Sequence, residues 1–322
     1  MTRYSVRRAD IAEAVDFWCK SPDATVFTHP EVSARMAKDC HWWLALKGDE
    51  PFLLWPVAVD GGGPQLPRFS YYFGPLWSQV AHARPPTRSL SDTLSGYEAM
   101  IAALVSEYGA VIAELPPSLT DVRAFDWWNF HEPHKPRFAI RPRYTAQIRA
   151  LKDTSEEALR AGMRELRRRE LRKVERGETF EIVDDVDVEV VQRLYTQVVL
   201  PDRASANDEV MDAVAALLDL VKRGFGRVTA ARSRERPDPV SVVLCLEGSR
   251  TSNMVLNLTD PDFRASGLPA WTVFQSIVAA KHAGSDVYDF NGANSPRRGD
   301  DKHSFGGWPE LYFRVAYGQA AS

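Results

Sequence analysis

Cysteine is scarce. The three cysteines, Cys19, Cys40 and Cys245, are odd in number and widely spaced, with no CxxC pair and no Cys/His cluster. That excludes a disulfide framework and a thiolate zinc site and leaves three inert thiols. Long hydrophobic runs are missing as well: no segment reaches the ~18 uninterrupted apolar residues of a membrane span. The opening MTRYSVRRADIAEAVDFWCK carries charges but no apolar run of signal-peptide length, so a cytoplasmic location is expected. Neither sign of charge dominates. Forty Lys and Arg against 43 Asp and Glu leave a net charge of −3, which gives no global attraction to nucleic acid or anionic lipid, so any polyanion contact must come from a local patch. No GxGxxG or P-loop pattern occurs, and no Ser-His-Asp or Cys-His constellation stands out. Neither a metal nor a permanently bound cofactor is indicated.

What is present suits two α/β domains. A chain of 322 residues is long for one core and fits two of about 150 residues each. In the first half, helical patterns cover Arg8 to Lys20, Pro30 to Lys38 and Ser91 to Tyr108. Strand-like runs cover Trp42 to Leu46, Phe52 to Val59 and Ala110 to Leu115. A Pro-rich aromatic stretch, Pro133 to Pro142, precedes a boundary near Arg141 to Tyr144, dividing the chain into domains 1–142 and 143–322. The second half opens with a strand, Tyr144 to Ile148, and one long helix ending at Gly177. Thr154 or Ser155 can cap that helix, and Glu156 and Glu157 suit its positive end. A strand at Phe180 to Val183 and helices at Val188 to Val199 and from Asn207 to Arg223 follow. Three β-branched runs, Gly226 to Ala231, Pro239 to Glu247 and Ser252 to Leu258, read as antiparallel neighbours. A helix from Pro269 to Ala283, a strand at Val287 to Phe290, a polar loop and a strand at Leu311 to Tyr317 complete the chain. Alternating strands and helices predict mixed sheets flanked by helices.

Three segments stand out chemically. Along the long helix, Arg160, Arg164, Arg168, Arg172 and Arg176 recur every fourth residue, joined by Arg167, Arg169 and Lys173. One reading is a cradle for phosphates. The other is salt-bridge lacing by Glu165, Glu170 and Glu175, each three or four residues from an arginine. The second segment runs from Asn257 to Trp271, where Gly267 gives backbone freedom and Pro269 suits a first helical turn. Amides exposed there favour an anion, with Arg264 nearby. The third, Tyr288 to Gly307, leaves a buried-type strand and gathers Asp289, Asn291, Asn294, Arg297, Arg298, Lys302 and His303 among four glycines. Functional loops are often built this way, although an ordinary surface loop is also polar and glycine-rich.

These segments, in this order, resemble the Fem family of non-ribosomal peptidyltransferases within the GNAT superfamily. The resemblance lies in Arg141-Pro-Arg-Tyr-Thr145, the basic helix ending at Gly177, Asp260-Pro-Asp-Phe-Arg264, Tyr288-Asp-Phe-Asn-Gly292 and Lys302-His-Ser-Phe-Gly-Gly307. In the first half it continues in Phe27 to Pro30 and Tyr72-Phe-Gly-Pro-Leu76. It implies two tandem GNAT-like domains, with the donor and the catalytic site on the second. It also implies transfer of an aminoacyl group from aminoacyl-tRNA, or of an acyl group from acyl-CoA, to an amine of a cell-wall precursor, sugar or secondary metabolite. Lys302 looks like the family lysine that stabilises charge in the transition state. Arg164, Arg168, Arg172, Arg264 and Gly267 would meet the donor; Tyr195, Asn291, Asn294 and Arg298 would meet the acceptor. Where the family often has an aromatic residue before that lysine, this chain has Asp301. His303, Asp289 and a group on the substrate compete as proton acceptor. The Gln/Arg-x-x-Gly-x-Gly/Ala loop of CoA-dependent relatives survives only at the start of Arg264-Ala-Ser-Gly267-Leu-Pro269, which leans the donor toward aminoacyl-tRNA. A reading from another class is a non-catalytic RNA- or nucleotide-binding protein that uses the arginine helix alone.

Overall fold

The computed structural model describes residues 4–83, 85–183, 185–199 and 208–318. It divides into one unit of residues up to Arg143 together with those from Leu311 onward, and a second unit, Tyr144–Glu310. No helix among the described residues is long and apolar enough to cross a membrane.

In the first unit, strands β1 (Tyr4–Ala9), β2 (Asp39–Lys47), β3 (Glu50–Asp60) and β4 (Gly63–Gln65) pair antiparallel in that order, with β5 (Leu76–Trp77) also on β3. Lys47 faces Glu50 across a two-residue turn in which Gly48 takes φ +65, the backbone a tight hairpin needs. Alternation along β2 and β3 serves two cores. Trp43, Ala45, Leu53, Trp55 and Val57 join one, while Leu44 and Leu54 join the other with Phe17 of helix α1 (Ile11–Lys20). Arg8 lies in β1, and α1 begins only after Asp10, which with Glu13 forms a capping box. Helices α2 (Pro30–Met36), α3 (Gln79–His82), α4 (Pro86–Tyr108) and α5 (Arg123–Asp126) complete this unit with strand β6 (Val111–Glu114).

Strand β7 (Ala139–Arg149) is longer than its pattern predicts, and from Tyr144 it belongs to the second unit. The expected single basic helix is two: α6 (Glu156–Gly162) and α7 (Glu165–Gly177). Met163 and Arg164 are extended between them, with ψ 153 and 149. Tertiary contact imposes the break. The Arg164 N–H donates to the Ser304 carbonyl at 3.0 Å, and Gly306 lies so near that a Cβ there would be 3.2 Å from the Gly162 carbonyl. Then come β8 (Phe180–Val183), α8 (Val188–Val199) and α9 (Asp208–Leu220). The expected cap Asn207 lies outside the described residues. Strands β9 (Gly226–Ser233), β10 (Pro239–Glu247) and β11 (Thr251–Thr259) form the expected antiparallel run, and α10 (Leu268–His282) crosses to β12 (Val287–Asp289), parallel to β11. Within this unit the strand order is β7-β12-β11-β10-β9-β8. The expected polar loop contains a helix, α11 (Pro296–His303), with Pro296 at its first turn; β13 (Trp308–Tyr317) follows, and from Leu311 it pairs β6 in the first unit.

The core of the second unit sits beneath α6, α7 and α10. Leu159, Met163, Leu171, Phe274 and Ile277 pack on Ala146, Ile148, Val243, Tyr288 and Phe290. The alternate residues Val242 and Leu244 are fully buried too, so the sheet is covered on its second face, where α8 packs against β10 and β11. The α/β class and the two helix-flanked sheets are those expected from the sequence.

Candidate active site

The sheet of the second unit opens into a fork. β11 and β12 pair at Thr251↔Val287, Ser252↔Tyr288 and Asn253↔Asp289, after which no further pair joins them among the described residues, although β11 continues to Thr259. The chain after β12 stays instead with β7: Phe290 N–H donates to the Ala146 carbonyl at 3.0 Å and Ala293 N–H to that of Tyr144 at 2.7 Å. Asn291 and Gly292 take φ +50 and +43, two successive left-handed residues that turn the chain away from β11. The Asn291 amide spans the base of the fork to the Met254 carbonyl at 3.1 Å. The carboxyl ends of parallel strands, where neighbours part, are the usual place for ligands in open α/β sheets.

Asp289 is 0% exposed. One carboxylate oxygen accepts from the Thr145 hydroxyl and, at 2.7 Å, from the Asn291 N–H; the other accepts from the Gln147 amide at 2.7 Å. A buried carboxylate held by three donors pins the turn. Thr145 and Gln147, two polar positions spaced by one residue in a buried strand, are the signal by which sequence reading could have found these partners.

Lys302 sits in the last turn of α11 and reaches the mouth of the fork. Its ammonium donates to the carbonyls of Asn291 and, at 2.8 Å, Gly292. Burial, with Arg298 pushing the same way, pulls its pKa down to about 8, against the opposing charges of Asp289 and Asp301. Burial pushes the Asp301 carboxyl up in spite of its contact with Arg167. The neighbouring His303 lies 2.7 Å from the Gly307 carbonyl through Nδ1. A carbonyl only accepts, so Nδ1 is the donor there, and in the neutral ring the lone pair is on Nε2. His303 lines an open depression of about 520 Å³ with Tyr144, Asn294, Ser295 and Asp300. The Asn294 side chain accepts from the Tyr144 N–H at 2.7 Å, and Arg298 is exposed on α11.

The other two segments singled out in the sequence meet around α7. Lys173 donates to the Ala265 carbonyl at 3.3 Å, and Gly267, φ +92, lies against α7 so closely that a Cβ would come within 2.8 Å of the Glu170 carbonyl. Gly267→Ala therefore combines a left-handed alanine with a backbone clash, and an expected loss of about 2 kcal/mol or more would show as a lower denaturant midpoint. At the start of α10 the Leu268 N–H is already taken by Ser266 Oγ at 3.1 Å, Pro269 has no N–H, and Arg264 is exposed on the preceding turn. The arginines are mostly laced to acids. Arg164 pairs with Asp300 at 2.6 Å, Arg168 and Arg172 each with Glu165 at 2.7 Å, and Arg160 with Glu175 at 2.7 Å while stacking 4.4 Å over Phe274. Tyr195 is 5% exposed and is one of the buried residues of α8, the helix on the second face of the sheet. Burial pushes the Cys245 thiol up to about 11 and that of Cys40 up to about 12, which makes both poor nucleophiles. No group of three or more His, Cys, Asp or Glu is placed to hold a metal among the described residues.

Several solved structures share this fold. FemX superposes with a TM-score of 0.65 over 96% of each chain at 12% identity. L-PGS from Bacillus licheniformis gives 0.58 over 98% of this chain and 94% of that one, also at 12%. A tandem GNAT protein from the clavulanic acid biosynthesis pathway gives 0.54 over 99% of each, again at 12%. Identities this low show a shared fold. No curated protein matches by sequence. The profile of the acetyltransferase (GNAT) domain matches residues 124–302, more than half of the chain and including α7, the fork and Lys302, so the chain belongs to the GNAT acyltransferase family.

Proposed function

We propose that the second unit transfers an aminoacyl group from aminoacyl-tRNA to an amine of a cell-wall, sugar or secondary-metabolite acceptor. The observation that carries this reading is the Lys302 ammonium at the mouth of the fork, with two of its three N–H donors held by the Asn291 and Gly292 carbonyls. The third is left to meet an oxyanion. The amine nitrogen attacks the ester carbonyl, a C–N bond forms, and negative charge gathers on oxygen, where a preorganised cation acts most strongly. His303 Nε2 takes the proton from nitrogen. The C–O bond then breaks and the proton passes to the departing ribose oxygen. Asp289, its lone pairs engaged, keeps the turn and the ammonium in place.

Features of α7 and α10 support charged tRNA as the donor. A CoA pyrophosphate would need free amides at the N-terminus of α10, where Ser266 and Pro269 leave few. The exposed arginines of α7 are held by surface pairs, which are weak and exchange readily for phosphates. Acyl-CoA is the second reading, favoured by the family match to an acetyltransferase domain.

The test supplies charged tRNA or acetyl-CoA with a panel of amines and identifies products by mass. Amide product from charged tRNA, with binding that weakens steeply between about 50 and 200 mM salt, is expected. Product from acetyl-CoA alone would replace the donor. Salt-dependent tRNA binding without transfer from either donor would make the protein a non-catalytic RNA binder.

A further inference from the structure

Arg167 belongs to the basic series, yet its side chain is only 17% exposed and points toward α11 rather than solvent. Its guanidinium meets four groups at once. It donates to Glu170 at 2.7 Å, to Ser304 Oγ at 2.8 Å and to the Asp301 carboxylate, and it lies 4.9 Å over the Phe305 ring. Asp301, Ser304 and Phe305 bracket Lys302 and His303 in the chain. Only a planar fork with several donors can hold a carboxylate on each side and stack on an aromatic face. Arg164 supports the same junction from the start of α7, through Asp300 and the Ser304 carbonyl.

We infer that Arg167 is a positioning residue for the transfer step: it fixes the last turn of α11, and so the place of Lys302, through Asp301, Ser304 and Phe305, and does not touch the donor. This rests on Lys302 having the role proposed above. It also accounts for Asp301, the residue standing where the resembled family often has an aromatic one. An aspartate can be held from α7 by a guanidinium, so the helix is anchored by an ion pair.

The charges around Lys302 give the test its sign. From its own helix Asp301 supports the ammonium and Arg298 opposes it, and from β12 Asp289 supports it. On the facing helix Arg167 offsets Asp301, and Glu170 lies beside both. Arg167→Met leaves the Asp301 charge uncompensated, so Lys302 should hold its proton to higher pH. Asp301→Asn removes a supporting charge, so Lys302 should release its proton at lower pH. A residue that only packs the helix would move both variants upward together, by letting water in.

The experiment follows the Lys302 ammonium by NMR in protein carrying isotope-labelled lysine, and measures kcat and KM in the same variants. Expected are shifts of about half a pH unit or more in opposite directions, and a kcat lowered about tenfold or more in Arg167→Met with donor KM unchanged. The titration needs no substrate, so it still decides the inference if no transfer is found. If Arg167→Met does not fold, Arg167→Lys carries the test: it keeps the charge but not the planar fork, so kcat should fall with donor KM unchanged, and a native kcat would overturn the proposal. A raised donor KM with kcat and the Lys302 titration unchanged would make Arg167 a donor contact and overturn the proposal, as would shifts of the same sign in both variants.

Discussion

Replacing Lys302 with alanine is expected to lower turnover by about 100- to 1,000-fold, the effect of removing one preorganised group from a developing oxyanion, while the protein stays folded. The energetics of the buried ammonium favour an intact fold. The pKa of Lys302 falls from 10.5 in the unfolded chain to about 8 in the fold. Between those values the unfolded state binds the proton more tightly, so stability contributed by this group rises as pH rises from about 8 to 10.5, and at pH 7 the buried charge works against the fold. Removing it relieves that cost but takes a donor from the Asn291 and Gly292 carbonyls, so the melting temperature should stay close to that of the native protein. A side chain that costs stability while two carbonyls aim it at the mouth of a fork is the pattern of a functional group. Arginine should not restore activity, because its wider planar head does not fit between the Asn291 and Gly292 carbonyls as an ammonium does. Near-normal turnover in Lys302→Ala, measured beside a calorimetric scan, would remove this residue from the mechanism.

The largest loss of stability from one substitution is expected in the first unit. Glu114 is 3% exposed on β6, directly across from Arg314 on β13. Both Arg314 Nε and Nη2 reach the same carboxylate oxygen, at 2.9 and 2.6 Å. Arg314→Met leaves that carboxylate buried and unpaired, a loss of about 3 kcal/mol. For a unit of this size the melting temperature should drop by about 10 °C. The double variant Glu114→Leu with Arg314→Met should recover most of the loss, because two apolar side chains leave no buried charge behind. Thermal unfolding of the two variants separates the outcomes, and equal losses in both would place the cost in packing.

Much of the fold is legible where apolar periodicity is strong. The runs at 226–231, 239–247 and 252–258 became β9, β10 and β11, and turn residues at Ser233 to Asp238 and Gly248 to Arg250 mark the connections. Helix α11 escaped because it has almost no apolar face: in Pro-Arg-Arg-Gly-Asp-Asp-Lys-His only Gly299 is buried, and the Ser295-Pro296 start was its one local sign. The break between α6 and α7 escaped for the opposite reason, since Met163 continues the apolar stripe and the interruption comes from Ser304 and Gly306, far along the chain. At the site, Asp289, Asn291 and Lys302 were legible as one polar segment. The Arg167 to Asp301 contact joins residues 134 apart, and nothing in either neighbourhood announces the other. The alternation of arginine and glutamate left phosphate cradle and salt-bridge lacing equally open; Arg167–Glu170 and Arg168–Glu165 pair three residues apart, while Arg164 turns to Asp300 on α11.

The role of Lys302 is tested by the pH dependence of amide formation at saturating donor, in the native protein and in Lys302→Met. With Lys302 acting as a protonated donor to the oxyanion, the native rate should fall as pH rises through about 8, and the residual rate of the variant should show no such fall. The same falling limb in both proteins would show that Lys302 is not the protonated donor to the oxyanion.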